Sequence, residues 1–311
     1  MGSYISTSKF IQLPFRGKKS VLCNQEFTFC KKSKNREIID TIINSNISHI
    51  QTEYEPSKEE VDILNEIFKN KQDIIFRHYG GWGNDSVDIL YLSKLSNLRH
   101  LYLDLYPQIT NIDILQKLEL YSLRINCFNV KDYGFLKGVS SSIKDLTIDL
   151  EDKTYKMDIN DIVHMKDLEK LEIRNVKKGL DKLAEFNNLK ELYLRSINIK
   201  DYRFLKQTNV KKIYLSFQKP EYFNTFEENK KIEEVSLWMN KNLTDLSFLL
   251  QFPNLKKIII SSQKKVEIIP DLSNLKKLEE IYFLDRDVNE IRKYCSADVK
   301  IYNQYNPADI N

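Results

Sequence analysis

Apolar residues recur along this chain with one fixed spacing, in which the second lies three positions after the first and the third two positions later. Leu98, Leu101 and Leu103 form the first clear unit. Further units begin at Leu120, Ile143, Leu168, Leu189, Val210, Ile232, Leu255 and Leu278, so that successive starts lie 21 to 25 residues apart. Such a period predicts a stack of similar units whose apolar faces join into one core.

Each unit predicts a short strand, because two apolar residues flank one residue that faces the other way. These strands, among them Leu101–Leu103, Leu192–Leu194 and Ile258–Ile260, are expected to lie side by side in a parallel sheet. One strand cannot bury its apolar face alone, so the sheet has to form from the whole stack.

The return half of each unit has its own signature. Val130–Leu136 recurs as Ile199–Leu205 and as Leu243–Leu249, each with an aspartate in third place and Phe-Leu at the end. We predict that Asp132, Asp201 and Asp245 accept hydrogen bonds from backbone N–H groups and so start a helical turn. The Phe-Leu pair would then pack beneath the strand.

These units resemble bacterial leucine-rich repeat proteins of the short subclass, with a repeat of roughly 22 residues, related in pattern to the internalin repeat domain. The resemblance covers at least residues 90–284. It implies an α/β fold, a right-handed solenoid or horseshoe with its parallel strands on the concave face. The family usually places Asn three residues after the last strand leucine, and among the regular units only Asn240 occupies that place. We therefore predict irregular turns.

Both ends of such a stack must be closed. We predict an N-terminal cap over residues 1–46, a solenoid over 47–303 and a tail over 304–311. The N-terminal cap would hold a hairpin, with strands in Lys9–Phe15 and Ser20–Cys30, followed by a helix over Arg36–Ile43. Ser57 and Glu60 form a capping box for a helix that ends near Lys69. At the far end, Asp287–Tyr294 is predicted as a helix and Val299–Tyr302 as a last strand.

Composition narrows the function further. The chain has 311 residues, with 48 basic and 44 acidic side chains, a balance too even to favour nucleic acid. No stretch approaches the roughly 18 apolar residues of a membrane span, and the first residues lack the pattern of a signal peptide. We therefore expect a cytoplasmic protein without membrane contact. Four cysteines and four histidines lack metal-ligand spacing, so we predict no metal, no cofactor and no catalytic residue.

Residues between the core positions line the concave face and are the candidates for binding. The predicted contacts are Tyr102, Arg124, Arg174, Tyr193, Arg195, Tyr214, Trp238 and Tyr282. Tyr, Trp and Arg are enriched at binding hot spots, although tyrosines also suit exposed strands in general. A second candidate is Trp82, in the glycine-rich loop Gly80–Asn84. The alternative for that loop is that Trp82 covers the N-terminal core.

We predict a monomeric, non-enzymatic protein–protein interaction module that binds a protein partner on its concave face. The resemblance implies a narrower hypothesis, an immunity protein whose partner is a bacterial toxin domain. Two alternatives remain open: a self-associating scaffold, and the substrate-recognition part of an effector enzyme. The mixed charge along the predicted face suits a protein partner.

Overall fold

The computed structural model describes residues 10–12, 20–22, 25–27, 32–80, 86–151, 154–197, 199, 201–221 and 223–304. The chain divides into two compact units, Met1–Lys156 and Met157–Asn311. This division falls inside the predicted solenoid of residues 47–303. The domain boundaries derived above stay a prediction.

The first unit is built around a sheet of short strands. Its strands are β1 (Phe10–Gln12), β2 (Ser20–Leu22), β3 (Gln25–Phe27), β4 (His49–Thr52), β5 (Ile75–Gly80), β6 (Val87–Asp88), β7 (His100–Leu105), β8 (Ile109–Thr110), β9 (Ser122–Cys127) and β10 (Asp145–Asp149), and its helices are α1 (Lys32–Ile43) and α2 (Lys58–Asn70). Strands β10, β9, β7, β5, β4 and β1 are neighbours in that order and parallel, while β2 and β3 continue the sheet antiparallel. A separate parallel pair joins β6 and β8.

The second unit contains a sheet of parallel strands in sequence order. They are β11 (Lys170–Arg174), β12 (Glu191–Arg195), β13 (Lys212–Ser216), β14 (Glu234–Trp238), β15 (Lys257–Ser261), β16 (Glu280–Phe283) and β17 (Lys300–Tyr302), with helix α3 (Val288–Arg292) before the last strand. Equivalent residues of successive repeats pair directly, as Leu192 does with Ile213. This register buries the apolar strand residues that alternate with the outward-facing ones, including Leu192 and Leu194. The predicted parallel strands are therefore confirmed in both units.

Short 3₁₀ helices return the chain between strands. They span Leu90–Lys94, Ile112–Lys117 and Gly134–Gly138 in the first unit, and Ile159–Asp161, Leu180–Glu185, Arg203–Gln207, Ser247–Gln251 and Leu272–Asn274 in the second. The predicted aspartates start three of them: Asp132 accepts from the Gly134 N–H, Asp201 from that of Arg203 and Asp245 from that of Ser247, at 2.7–2.9 Å. The carboxylate replaces a carbonyl that the first turn lacks.

The predicted end elements are present with shifted bounds. The Ser57–Glu60 capping box is formed, and Asp287 caps α3. The N-terminal strands pair as a hairpin, and its second run contains two strands, β2 and β3, instead of one. Strand β1 also pairs in parallel with β4, so the hairpin extends the first unit's sheet. Residues 16–19, between the two predicted runs of the hairpin, and residues 305–311 lie outside the described residues.

One core position of the first unit holds a histidine. His78 stands in register with Leu103, is 1% exposed, and its Nδ1 lies 2.8 Å from the hydroxyl of buried Tyr91. Burial lowers the pKa of His78 to about 4, because the core disfavours the charged imidazolium. The neutral ring therefore acts as a core residue.

Candidate functional site

The strands of the second unit present three rows of side chains on the face opposite the core, which we call the outer face. The charged row contains Lys170, Glu191, Lys212, Glu234, Lys257, Glu280 and Lys300. The aromatic row contains Glu172, Tyr193, Tyr214, Ser236, Ile259, Tyr282 and Tyr302. The edge row, at the carboxyl ends of the strands, contains Arg174, Arg195, Ser216, Trp238 and Ser261.

The charged row alternates lysine and glutamate from strand to strand, so each charge lies between opposite charges. Lys212 Nζ is 3.0 Å from Glu191 Oε1, and Lys257 Nζ is 3.6 Å from Glu280 Oε2. Burial raises the pKa of Glu234 in the middle of the row, and its lysine neighbours oppose that rise. Because its charges offset one another, this row stabilises the strand register more than it attracts a charged partner.

The aromatic row brings two of the predicted contact residues together and places a third against a tyrosine that was not predicted. The Tyr193 and Tyr214 rings lie 5.6 Å apart, and the Tyr193 hydroxyl donates to Glu191 Oε2 at 3.1 Å. Burial, reinforced by Glu191, raises the pKa of Tyr193, so this hydroxyl keeps its proton. Tyr282 stacks on Tyr302 at 4.5 Å and is only 3% exposed. Tyr282 therefore offers a partner little surface.

The edge row carries a cluster of large side chains. The guanidinium of Arg195 lies 5.2 Å from the centre of the Phe217 ring, and that ring lies 5.7 Å from the ring of Trp238, edge to face. In register between Arg195 and Trp238 is Ser216, which is 0% exposed although it belongs to the outer face. The large side chains around it therefore cover it. We call Arg195, Phe217, Trp238 and the adjoining Met239 the edge cluster.

Phe217 and Met239 belong to a turn that repeats along the second unit. The residue after each of five successive strands has a left-handed backbone, with φ between 52° and 58°: Asn175, Ser196, Phe217, Met239 and Ser262. The N–H groups of the first four donate to the backbone of the next repeat at 2.9–3.1 Å. The prediction of irregular turns is therefore wrong for this unit. Backbone hydrogen bonds between successive repeats keep these turns regular, although most of the repeats lack the asparagine that is usual in the family.

Glutamine also takes over part of the asparagine's role. Asn240 donates through Nδ2 to the Leu215 carbonyl at 3.0 Å and accepts from the Gln218 N–H at 2.8 Å. Gln218 occupies the equivalent place one repeat earlier, and its Nε2 donates to the Leu194 carbonyl at 2.9 Å. A side-chain amide can satisfy buried turn carbonyls from either residue type.

The other predicted contacts, Tyr102 and Arg124, lie in the first unit. They share a row with Arg77 on its outer face. Arg77 donates to Asp104 at 2.5 Å and to Gln51 at 2.9 Å, and Arg124 Nε lies 4.0 Å from the same Asp104 carboxylate. The charge of Arg124 is therefore offset within the protein by the Asp104 carboxylate. Trp82 lies outside the described residues.

The sequence did not lead us to predict two residues of the candidate site, Phe217 and Met239. Both follow the last residue of a strand, a place held by Asn or Ser in the other left-handed turns. The sequence did contain a signal for them, since the residue at this place is polar in the other left-handed turns of the second unit and a bulky apolar one in these two adjacent repeats. Among the described residues, no cluster of His, Cys, Asp and Glu could hold a metal ion, and no helix is long and apolar enough to cross a membrane.

Comparison with known proteins bears on the fold. An internalin (InlF) from Listeria monocytogenes matches 84% of this chain and 81% of its own, with 16% identity and a TM-score of 0.52. The chain has a leucine-rich repeat fold. Internalin C2 of the same organism matches 72% of this chain and 83% of its own at 21% identity (TM-score 0.43). A leucine-rich repeat protein from Leptospira interrogans matches 81% and 82% at 14% identity (TM-score 0.40). No protein-family model and no curated protein matches the chain.

Proposed function

We propose that this leucine-rich repeat protein is a protein–protein interaction module whose second unit binds its partner at the edge cluster. The observation that carries the proposal is the left-handed backbone of Phe217, whose ring contacts Trp238, and of Met239, which follows Trp238 in the chain. That conformation costs a non-glycine residue about 1–2 kcal/mol. Asn175 and Ser196 show that the same turn forms with small polar residues. Strained residues of this kind tend to persist where a function retains them.

The chemistry of the cluster fits a protein partner. Trp and Arg are over-represented among the residues that dominate binding energy, and such residues act best when packing already holds them in place. Arg195, Phe217 and Trp238 contact one another in series, so binding orders few further side chains. Tyr193 and Tyr214 extend this surface along the strands.

The test uses Trp238→Ala, with Tyr121→Ala as its control, because Tyr121 is an exposed aromatic residue of the first unit, 43% exposed. The wild-type protein captures partners from a lysate of its source organism, and calorimetry measures their affinity for each variant. Trp238→Ala should weaken binding by about 2 kcal/mol or more, with unchanged melting by circular dichroism. Tyr121→Ala should bind like wild type. Equal binding by all three proteins would refute the proposed site.

Two narrower points belong to the same proposal. We expect a monomer by light scattering, and a dimer that Trp238→Ala dissociates would assign this surface to self-association instead. An immunity role, in which the partner is a toxin, is the narrower hypothesis that the resemblance of the repeats implies. It requires that a captured partner be toxic when produced alone and harmless with the wild-type protein, and that Trp238→Ala lose this protection.

A further inference from the structure

The lysines at the two ends of the second unit's strands differ in their partners. Those that directly precede a strand are paired: Lys190 with Glu169 at 2.5 Å, Lys211 with Glu233 at 3.4 Å and Lys256 with Glu233 at 2.8 Å. The positive charge at the amino ends of the strands is therefore offset by neighbouring carboxylates.

At the carboxyl ends the arrangement is different. Lys219, Lys241 and Lys264 each lie three residues after the last residue of a strand, in three consecutive repeats. All three are exposed. None of them makes an ion pair within the part of the chain that the structure describes. We call these three residues the lysine row.

The lysine row closely follows the turns of the edge cluster along the chain. Each of its members lies two residues after a left-handed turn residue, so Lys219 follows Phe217 and Lys241 follows Met239. Neighbouring parallel strands are about 4.8 Å apart, which places successive lysines at a comparable spacing. Exposed carboxylates in the same loops, Glu221 and Glu267, lie further along the chain. In that later part of the loops, the Thr244 N–H donates a hydrogen bond to the Glu221 carbonyl, and the Glu267 N–H donates one to the Thr244 carbonyl.

We infer that the partner presents an acidic segment of polypeptide, whose carboxylates follow the lysine row while an apolar side chain contacts the edge cluster. This inference rests on the proposed function and names the chemistry of the partner. Charges without an internal partner are available to a ligand at no cost in lost ion pairs, and complementary charge steers association. A protein segment is favoured over nucleic acid because the unpaired positive charge of the lysine row is limited to three side chains and the charged row beyond them is internally balanced, whereas a phosphate backbone favours one sign of charge along its whole path.

The experiment measures fluorescence anisotropy with a labelled synthetic peptide of glutamates around a central Leu-Phe pair. The comparison ligands are the same peptide with lysine in place of glutamate, an all-glutamate peptide and a short oligothymidylate. The variant is Lys219→Glu/Lys241→Glu. Its control, Lys190→Glu/Lys256→Glu, makes the same change of charge at the amino ends of the strands. Thermal melting checks that both variants are folded.

Wild type should bind the acidic Leu-Phe peptide in preference to the other ligands, more weakly as salt is raised. The carboxyl-end variant should lose about tenfold or more in affinity, and the control should lose much less. The inference is overturned if wild type fails to saturate with millimolar peptide, if both variants lose affinity equally, or if the oligonucleotide binds more tightly.

The same variants separate this inference from the proposed function. If binding of the captured partner depends on Trp238 but is unchanged by Lys219→Glu/Lys241→Glu, the edge cluster is an interface, but the inference of an acidic partner segment is wrong. If the partner is indifferent to all of these changes, both proposals fail.

Discussion

Acid should destabilise the first unit through one buried side chain, His78. Its pKa is lowered to about 4 by burial, whereas an unfolded histidine titrates near 6.5. Between pH 6.5 and pH 4, His78 therefore binds a proton in the unfolded chain but not in the folded one. The free energy of unfolding keeps its full value above pH 6.5 and falls as the pH drops towards 4. Linkage gives a loss of about 2 kcal/mol between pH 7 and pH 5, and about 3 kcal/mol once both states are protonated.

The test is the double substitution His78→Leu/Tyr91→Phe. It removes the titrating group and the hydroxyl that would otherwise lose its partner 2.8 Å away. Leucine suits the site, because the register pairs His78 with the buried Leu103 of the next repeat. Replacing both polar partners with apolar groups of similar shape is expected to be nearly neutral at pH 7.

Urea denaturation at pH 7 and pH 5 measures the effect. Wild type should lose about 2 kcal/mol more than the double variant between these two values. The single variant Tyr91→Phe is the control, since it keeps the histidine and should keep the acid sensitivity. Equal losses in wild type and the double variant would refute the assignment of acid sensitivity to His78.

Further substitutions test the second unit, each by urea denaturation at neutral pH. Leu192→Ala, at a position that is 0% exposed, should cost about 2–5 kcal/mol, and Asp201→Ala, which removes the bond to a backbone N–H, about 0.5–2 kcal/mol; the reverse order would contradict both assignments. Ser196→Val should destabilise, because φ is 53° there and a β-branched residue fits that backbone worse than serine does, while Ser196→Gly, the control, should not, since glycine adopts it without steric cost. Glu234→Lys, between two lysines of the charged row, should destabilise by up to about 1 kcal/mol, an effect that high salt should reduce.

The fold could be predicted from the sequence because its determinant is periodic. An apolar residue equivalent to Leu192, such as Ile213 or Val235, recurs once per repeat and faces the core, so each repeat supports the prediction made from the others. The aspartates behave in the same way, since Asp132 and Asp201 form the same local hydrogen bond within a few residues of chain. Contacts that are local or repeated leave a pattern that a sequence shows directly.

The turns after the strands were harder to predict because two different turns occupy one place in the repeat. In the first unit the residue two places after the last strand leucine stays apolar and buried, as Leu105 and Cys127 do, and the alternation of the strand continues. In the second unit the left-handed residue at that place reverses the alternation, so the next residue, such as Ile197 or Gln218, turns inward. Aligning all repeats to a single asparagine position hides this difference.

The edge cluster, which we propose as the binding surface, shows why such a surface is harder to predict from the sequence. Trp238 was predicted because tryptophan is rare and suited to binding. Phe217 was not predicted, because it lies in a turn that we expected to be irregular. Phe217 has a left-handed backbone, and its ring contacts both Trp238 and Arg195. A contact of this kind joins residues of different repeats and occurs where the repeats differ, so periodicity cannot reveal it. The scaffold of this repeat fold follows from the repeated positions of the sequence, while the binding surface that we propose lies at positions that depart from the repeat.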